Sequence, residues 1–574
     1  MAGFVVTLPH SQPPCAPASA PLDFRVLGVE ARTGIAPLRT GSGRLALLDG
    51  HALGLPDAAL VNALDAGDRE RIAQLHGHYC ALIFARDGVA RGFCDRFGGR
   101  PLFWLRRADG RVVIASRWDL LPTNDRGWDD EGVAEMLRFR WTSEQRTVRR
   151  DVAKLSHRHR VRFGWAGTVS LRAVREAPAA PAAAATERSL PRAKERTRHA
   201  LERVLEDVAN VHGNAAIFLS GGVDSSLLAA LARPQFRKCL LVTPVFPAHT
   251  HNPELPAARA YAQTLGLKHL LVKVDYRRLA PDLCWLVRAK GDQVKFHLLI
   301  MHQMLRAIPD EYPVVLYGNG ADTCFGTEAF LRIRTLLYRK RYLDALPPAA
   351  VRALAMLPSR RLRRLAALRD ASACALALRC LRIPYSAAEQ AVVDRLSACP
   401  LDGIYAHRIV RARLGVHPLR AVLQDVVEAV DIANDAREIE LSAARYGKQV
   451  AMPYLAPPVT EVAASLSDEL FYGGPCVKPV LRELACEHFD RRLVHAPKLG
   501  FEVPYGSWLE GPLSGLVAAA RRERGLFDGR LLDPLDPARC YPLFWSLINW
   551  RILAEQLTAG TRTETRAAVS GMGD

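Results

Sequence analysis

A short apolar segment runs directly into a loop of serines and glycines, and a helical pattern follows the loop. Residues 215–219 have the length and composition of a buried strand, and the loop is Ser220-Gly221-Gly222-Val223-Asp224-Ser225-Ser226. Two glycines let the backbone adopt conformations that other residues avoid, so consecutive N–H groups can turn toward one anion. A helix N-terminus and serine hydroxyls add further donors. The segment therefore predicts a strand–loop–helix unit that binds the pyrophosphate part of ATP.

An acidic residue in this loop and a second one in a similar motif predict a metal site. The loop lacks the Lys that follows the last glycine of a Walker A loop, and a carboxylate beside phosphates suits Mg²⁺, so Asp224 is a predicted metal ligand. The motif Leu316-Tyr317-Gly318-Asn319-Gly320-Ala321-Asp322 closes another apolar run. Because the carboxyl ends of parallel strands meet at one edge of a sheet, we expect Asp224 and Asp322 to form a metal pair above one crevice.

The pattern of elements changes once along the chain. Early residues form short apolar runs separated by turns that contain Gly and Asp, whereas later ones alternate apolar strands with amphipathic helices. The later pattern predicts an α/β fold with a mostly parallel, doubly wound sheet. The predicted parts are a β-rich domain (1–175), an Ala/Pro linker (176–190), an α/β domain (191–560) with a helical insertion (327–430), and a disordered tail (561–574).

Composition opposes a membrane-spanning or a secreted protein. The 574 residues require more than one domain, and the formal net charge of +19 suits phosphate-bearing or acidic partners as well as a plain Arg-rich surface. The 12 cysteines include no CxxC pair, which favours a reducing compartment. No apolar run approaches the ~20 residues that cross a bilayer, and residues 1–23 make a poor signal peptide. We expect a cytoplasmic enzyme without a membrane partner.

The two motifs resemble those of a known class of enzymes. The loop is similar to that of the PP-loop ATP pyrophosphatases, which cleave ATP to AMP and pyrophosphate while adenylating an oxygen of the substrate. The second motif is similar to the G-x-G-x-D motif of the asparagine synthetase group, whose Asp is the second Mg²⁺ ligand. The resemblance implies that ATP contacts Ser220, Gly221, Gly222, Asp224, Ser225, Ser226, Gly318 and Gly320, and that Mg²⁺ contacts Asp224 and Asp322.

Two C-terminal segments extend the resemblance. Residues 478–482, Lys-Pro-Val-Leu-Arg, and residues 496–501, Ala-Pro-Lys-Leu-Gly-Phe, match signatures of the same group. In the second match, Lys498 falls on the catalytic lysine of the family. A cation there would stabilise the acyl-adenylate and the tetrahedral species that forms when an amine attacks.

The N-terminal part resembles the glutaminase domain of asparagine synthetases but departs from it at functional positions. Residues 94–104, Cys-Asp-Arg-Phe-Gly-Gly-Arg-Pro-Leu-Phe-Trp, look like its R-D-x-x-G-x-x-P-L-Y-Y segment, which implies an αββα β-sandwich. A working domain of this kind uses an N-terminal cysteine as its nucleophile, and the residue at that position here is Ala2. The glutamine-holding N-G-E motif is replaced by Asp49-Gly50-His51. We therefore predict that this domain does not hydrolyse glutamine.

The α/β part departs from asparagine synthetases as well. Residues 449–456 read Gln-Val-Ala-Met-Pro-Tyr-Leu-Ala where the family shows E-x-R-x-P-F-L-D, so free aspartate is not the expected substrate. Two branches have an inactive glutaminase domain, the lasso-peptide macrolactam cyclases and the β-lactam or carbapenam synthetases. The latter have a Tyr where Asn319 stands, which favours the former. That branch implies a precursor peptide as substrate, a leader peptidase and a leader-binding protein as partners, and a substrate hydrogen bond from Asn319.

Several alternatives stay open. The chain could be a β-lactam-synthetase-like or an ammonia-dependent asparagine-synthetase-like amide ligase, or a scaffold that has lost the chemistry. A tRNA-modifying PP-loop ligase would use the Arg cluster within residues 360–364, but the absence of CxxC pairs opposes it, and no nucleic-acid partner is expected. For the general base, His297, Glu438 and Glu440 have suitable chemistry, but the sequence does not place them.

Overall fold

The computed structural model describes most of the chain, and at residues 69, 73, 165, 380 and 558–570 it describes the backbone alone. The described residues are 3–10, 22–24, 26–122, 127–155, 159–173, 186–246, 254–397, 399–400, 404–473, 477–497 and 503–570.

The strands fall into an N-terminal and a central group. In chain order they are β1 (Phe4–Leu8), β2 (Glu30–Thr33), β3 (Leu38–Arg39), β4 (Leu45–Ala52), β5 (Gly77–Phe84), β6 (Ala90–Cys94), β7 (Phe103–Arg106), β8 (Val112–Ala115), β9 (Val152–Lys154), β10 (His159–Phe163), β11 (Val169–Ala173), β12 (Asn214–Phe218), β13 (Lys238–Val245), β14 (Lys268–Lys273), β15 (Val314–Leu316) and β16 (Gln449–Ala451).

The α-helices are concentrated after residue 190. They are α1 (Asp57–Ala66), α2 (Arg69–Ala73), α3 (Asp130–Phe139), α4 (Leu190–His212), α5 (Val223–Ala232), α6 (Leu255–Leu265), α7 (Leu279–Lys290), α8 (Phe296–Ala307), α9 (Ala321–Phe325), α10 (Glu328–Ala345), α11 (Pro348–Met356), α12 (Arg360–Ala366), α13 (Ala373–Ala377), α14 (Ala387–Leu396), α15 (Tyr405–Arg413), α16 (Leu419–Val427), α17 (Ala433–Arg445), α18 (Pro457–Ser465), α19 (Asp468–Tyr472), α20 (Pro479–Ala485), α21 (Arg491–Val494), α22 (Tyr505–Glu510), α23 (Ser514–Arg521) and α24 (Tyr541–Ser570).

Two antiparallel sheets pack face to face in the N-terminal part. Their strand orders are β2-β1-β8-β7-β9 and β11-β10-β6-β5-β4-β3. In β5, Cys80, Leu82 and Phe84 face the layer between the sheets, and the alternate residues face a second apolar cluster that includes residues of α1. Because both faces of the strand are buried, its sequence is apolar almost throughout. With α3 packed on the other sheet, the layers form the predicted αββα sandwich.

The central sheet is parallel and has the strand order β14-β13-β12-β15-β16. From β12 the chain builds outward through β13 and β14, and it then returns to place β15 on the other side of β12. This change of direction makes the gap between β12 and β15 a topological switch point, where such sheets bind ligands at their carboxyl ends. The predicted doubly wound parallel sheet is therefore confirmed, and both predicted motifs follow the two strands at this gap.

The predicted insertion is helical, whereas the C-terminal tail and the linker are more ordered than the sequence predicts. Residues 327–430 contain the short helices α10 to α16 joined by turns. Helix α24 extends to Ser570, because Ala, Arg and Glu residues favour continuation of the helix where the sequence predicts a disordered tail. The last part of the predicted linker is ordered, since Glu187 pairs with Leu466 and helix α4 begins at Leu190. No described helix is both long and apolar enough to cross a bilayer.

Candidate active site

The predicted phosphate-binding loop, residues 220–226, lies between β12 and α5, and its shape depends on one glycine. Gly221 has φ +84°, and a Cβ atom there would lie 2.6 Å from the carbonyl oxygen of Glu254. Gly222 is the N-terminal cap of α5, so the loop leads directly to the positive end of a helix. The structure thus places the predicted residues 220–226 as a turn of backbone donors at the switch point.

The serines of the loop have two different positions. Ser220 is exposed, and its Oγ accepts a hydrogen bond from the Gly222 amide at 3.3 Å. Ser225 and Ser226 are buried, and their hydroxyls donate to the Gly222 carbonyl at 3.2 and 2.8 Å. In this structure the two buried hydroxyls shape the loop, and Ser220 is the serine that faces solvent.

The second motif begins after β15 and brings Asp322 to the same crevice. Gly318 passes the start of α5, since a Cβ atom there would lie 3.6 Å from the Cα atom of Ser225. Gly320 has φ +91°, and a Cβ atom there would lie 2.3 Å from the Cδ2 atom of Leu455, so only glycine fits. The tight turn at Gly320 starts α9, which carries Asp322 on its first turn.

One buried ammonium group joins the two predicted metal ligands. The Nζ atom of Lys478 lies 2.6 Å from Oδ2 of Asp224 and 2.5 Å from Oδ1 of Asp322. Lys478 is 4% exposed and has φ +58°, immediately before Pro479 and helix α20. Burial lowers the pKa of Lys478, but the two carboxylates raise it by more, so the side chain stays charged. Asp224 and Asp322 therefore meet at one crevice with an ammonium group between them, and their role as metal ligands stays a prediction.

The two carboxylates have the chemistry of a Mg²⁺ site. Both can reach one cation, because the ammonium of Lys478 already lies within hydrogen-bond distance of both. The Oδ1 atom of Asp224 is buried and has no hydrogen-bond partner among the described residues. An unsatisfied buried carboxylate oxygen is costly unless it meets a cation, and Mg²⁺ prefers oxygen ligands. The donor set therefore fits Mg²⁺.

A second group of charges lies beyond Asn319 and was not predicted from the sequence. A π-helical turn at Glu428–Ile432 leads into α17 and places Asp431 and Asp435 one turn apart. Lys295 binds both carboxylates, with its Nζ atom 2.5 Å from Oδ1 of Asp435. The Nδ2 atom of Asn319 donates to Oδ2 of Asp435 at 3.5 Å. The predicted substrate-binding residue Asn319 thus connects the ATP loop region to an acidic pair in which Asp435 is buried and Asp431 is partly exposed.

The three general-base candidates lie in different surroundings. Glu440 is at the contact with the N-terminal sandwich, where it accepts a hydrogen bond from Arg100 at 3.3 Å. Glu438 is fully buried, 3.0 Å from Nζ of Lys290, and burial raises its pKa to about 7. Burial and the charge of Lys295 lower the pKa of His297 to about 3. Burial raises the pKa of Tyr317 in the second motif, and the charge of Glu438 adds to this shift, so Glu438 lies near the site.

The segment that replaces the glutamine-holding motif is occupied by an interdomain ion network. The guanidinium of Arg100 binds Asp49 and, at 3.3 Å, Glu440 of helix α17. His78 lies between Asp95 and Glu440, with N···O distances of 3.8 and 3.9 Å. Burial lowers the pKa of His78, but Glu440 and Asp95 raise it above its ordinary value. The carboxylate of Asp49 is therefore paired with Arg100 of its own domain and, through Arg100, linked to helix α17.

A further cluster of possible metal ligands is better explained as an ion pair. Ligand atoms of Glu483, Cys486 and His495 lie within 4.8 Å of one another. However, Arg491 binds both oxygens of Glu483 at 2.8 and 3.2 Å. A guanidinium that already neutralises the carboxylate opposes a metal cation, so we assign no metal there.

Two predicted features lie outside the described residues. They are Lys498 and Ala2. Lys478 was missed as a site residue, although it begins the matched segment 478–482, because nothing in the local pattern indicates its left-handed backbone. The pair of Asp431 and Asp435 was missed because acidic residues at this spacing usually face solvent on a helix.

The fold and the site together define an ATP-dependent amide-forming ligase of the α/β type, and the comparisons agree. The asparagine synthase family model matches residues 194–553, more than half of the chain. The chain therefore belongs to the asparagine synthase family, and the predicted superfamily is confirmed.

Similar proteins also match the N-terminal part. Asparagine synthetase (glutamine-hydrolyzing) 1 of Bacillus subtilis is 22% identical over 465 residues, which cover 78% of this chain and 71% of that protein. Putative asparagine synthetases (glutamine-hydrolyzing) of Mycobacterium bovis and Mycobacterium tuberculosis are each 26% identical over 507 residues, 82% of this chain and 73% of theirs. A solved structure, the U34-tRNA thiolase of Methanococcus maripaludis, covers 45% of this chain and 78% of its own at 14% identity, and its TM-score of 0.19 is too low to bear on the fold.

Proposed function

We infer that the protein closes a macrolactam ring in a ribosomally made peptide. The carboxylate of an Asp or Glu side chain attacks the α-phosphorus of ATP, which forms an acyl-adenylate and releases pyrophosphate. The N-terminal amine of the same peptide then attacks the acyl carbon, the C–O bond to AMP breaks, and the amine loses a proton. One observation supports this reading above the others: Asp224 and Asp322 converge at the ATP-side loop, while in the N-terminal domain Arg100 pairs with Asp49 of the segment that replaces the glutamine-holding motif.

The source of the nitrogen follows from that observation. Arg100 bridges Asp49, in the segment that replaces the glutamine-holding motif, and Glu440 of helix α17. This ion pair supports a domain that does not supply ammonia from glutamine, so in this proposal the substrate carries its own amine.

The acid that is activated belongs to a larger molecule than aspartate. The strand β16 and the turn after it present Ala451 and Ala456, both fully buried, where asparagine synthetases have an Arg and an Asp. Buried methyl groups cannot hold the charges of a free amino acid. Binding energy must then come from other parts of the substrate, as a peptide would provide.

On the ATP side, each group has a defined task. The loop 220–226 cradles phosphate oxygens with backbone N–H groups, and Asp224 and Asp322 supply the oxygen ligands of Mg²⁺. Mg²⁺, when bound, would neutralise charge on the phosphates as pyrophosphate leaves. Tyr454 fixes the loop, because its hydroxyl donates to the carbonyl oxygen of Asp224 at 2.9 Å. The resemblance assigns stabilisation of the acyl-adenylate to Lys498.

On the amine side, Asp435 is the carboxylate best placed to accept the proton of the attacking amine. Asn319 contacts it from the crevice, and Asp431, whose side chain is 33% exposed, reaches solvent beside it. Burial and repulsion from Asp431 raise the pKa of Asp435 above its ordinary value, while Lys295 and Lys290 lower it in part. A carboxyl with a raised pKa is a stronger base than an ordinary one and still ionises in the range where enzymes work.

The role of Asp435 predicts a change in pH dependence. The base must be ionised, so ring closure in the parent enzyme should fall with decreasing pH as Asp435 is protonated, at a higher pH than an ordinary carboxylate of pKa ~3.9 would require. Asp435→Asn should lower the ring-closure rate about tenfold, since Asp431 can replace it in part, and should shift the acidic limb. Pyrophosphate release before ring closure should be unchanged. An unshifted acidic limb with a normal rate would exclude Asp435 as the base.

The proposed function is tested with short peptides encoded beside the gene. We expect that such a peptide, freed of its leader, is converted with ATP into a product lighter by one water, with one AMP and one pyrophosphate per ring. Mass spectrometry of the product and nucleotide chromatography measure both. Glutamine should be neither required nor hydrolysed, and glutamate released in step with the product would contradict the inactive N-terminal domain. Asparagine formed from aspartate and ammonia would support the alternative ligase instead. A leader peptidase and a leader-binding protein are the partners this proposal requires.

A further inference from the structure

The helical insertion contains an arm with an unusual surface, formed by residues 328–370 with helices α10, α11 and α12. This arm carries eleven Lys and Arg but three Asp and Glu, a net charge of +8 in a chain whose total is +19. Less than a tenth of the residues thus carry two fifths of the net charge. The arm has its own small apolar core, which includes Leu343, Val351 and Leu368, so it is a folded element.

Helix α11 presents an apolar face to solvent. Within residues 346–358, eleven residues are exposed, and ten of these are Leu, Pro, Ala or Met, with Arg352 as the exception. Met356 is 86% exposed, and Leu346 and Leu357 at the two ends of α11 are 41% and 43% exposed. Five of the nine large apolar side chains exposed among the described residues lie between Tyr338 and Leu357. A contiguous exposed apolar face of this kind marks an interaction surface.

The helices before and after α11 carry exposed cations. Arg339 and Arg341 lie on α10, and a run of four arginines lies on α12. The arginines of this run are Arg360, Arg361, Arg363 and Arg364. Among the described residues these six make no ion pair within 4.0 Å, and all six are exposed. In the part of the chain that the structure describes, these charges therefore do not bind the protein's own acidic groups.

We propose that this arm docks on an anionic lipid surface. The apolar face of α11 would enter the boundary between headgroups and acyl chains, and the arginines of α10 and α12 would bind the phosphates around it. The two exposed tyrosines, Tyr338 and Tyr342, have the amphipathic rings that favour this boundary. The phosphates of a nucleic acid would also bind the arginines, but the exposed Leu, Met and Ala side chains would add no binding energy to such a complex. The sequence expectation of no membrane partner rests on the absence of a spanning segment, and surface docking needs none.

Vesicle sedimentation of the full-length protein tests the proposal. We expect binding to vesicles of phosphatidylglycerol and phosphatidylcholine, weaker binding as salt rises, and none to phosphatidylcholine alone. Replacing the four arginines of α12 with Gln should weaken binding at least about tenfold, and so should Met356→Ser with Leu357→Ser. A matched control, Val211→Ser with Val416→Ser, removes two exposed apolar residues elsewhere and should bind like the parent.

The outcomes separate this surface from the active site. ATP–pyrophosphate exchange and helical circular dichroism of all variants should equal those of the parent, since the arm residues lie at the surface. Equal vesicle binding by parent and arm variants overturns the proposal. So does the absence of vesicle binding at low salt, and so does a protein that ignores vesicles but binds RNA or polyglutamate through the same arginines. The proposal does not rest on macrolactam formation, so either can fail alone.

Discussion

Replacing Asp224 with Asn is expected to lower AMP formation at least about a hundredfold. Asp224 and Asp322 converge on one cation at the switch point between β12 and β15, and the buried Oδ1 atom of Asp224 has no hydrogen-bond partner among the described residues. An amide at position 224 keeps the size of the side chain but removes the charge that, in the proposed function, would hold Mg²⁺ beside the phosphates. The variant should also lose ATP–pyrophosphate exchange, which reports on adenylation without ring closure.

The control for this substitution must separate lost charge from lost structure. Asp370→Asn removes one exposed carboxylate from the arm and should leave exchange within about twofold of the parent. Asp322→Asn should resemble Asp224→Asn, and the double variant should be little worse than either, because two ligands of one ion act as a unit. Exchange at the parental rate in Asp224→Asn would remove Asp224 from the metal site.

The same neighbourhood shows why a lysine belongs beside the acids. Without Lys478, the carboxylates of Asp224 and Asp322 would face each other with no cation between them. Their repulsion would then push the two side chains apart. The left-handed backbone of Lys478, before Pro479, directs the side chain inward from the start of α20. The ammonium therefore keeps Asp224 and Asp322 close together, ready for a divalent cation.

The two motifs of the site can be predicted from the sequence, but not every element around them can. The loop 220–226 and Asp322 are predictable, because few backbone structures accommodate glycines at these spacings directly after a strand. The two strands are parallel neighbours, so both motifs lie at the same edge of the sheet. The amphipathic pattern of residues 191–211, with a Pro at its start, also predicts helix α4 within one residue at each end. The three-residue strand β16 is not predicted, because its apolar run is too short to show a period.

Contacts between distant segments are the part that the sequence does not predict. Lys295 lies 136 residues before Asp431, and no local pattern indicates that they meet. Arg100 likewise appears as one arginine of a matched segment, and its partner Glu440 belongs to the other domain. Such pairs depend on how two sheets and their helices pack, so they become visible only in the assembled fold.

A second large effect is expected from Lys290→Met, which should lower the free energy of unfolding by about 3–5 kcal/mol at pH 8. Lys290 and Glu438 are both buried, with Nζ and Oε2 3.0 Å apart. Glu438 also accepts a hydrogen bond from the backbone amide of Lys295 at 3.1 Å. The pair therefore fastens α17 to the segment that carries Lys295, and its loss leaves an uncompensated buried carboxylate.

The sign of the pH dependence distinguishes this effect from a simple packing defect. Burial raises the pKa of Glu438 to about 7, above its value of about 4.5 in the unfolded chain. The contribution of Glu438 to the free energy of unfolding is therefore fully present below about pH 4.5 and is lost as the pH rises through 7. Without Lys290 this loss increases, and Lys290→Met should lose more stability at pH 8 than at pH 5.5. Denaturant unfolding at the two pH values measures the difference.

Two further variants complete this test. Lys290→Met with Glu438→Leu removes both charges and should recover most of the lost stability, because an apolar pair of similar volume carries no desolvation cost. Arg491→Ala breaks an exposed ion pair with Glu483, in which the arginine side chain is 66% exposed, and should cost no more than about 1 kcal/mol. A loss in Lys290→Met that is equal at both pH values would show that the methylene packing of Lys290, rather than its charge, stabilises α17.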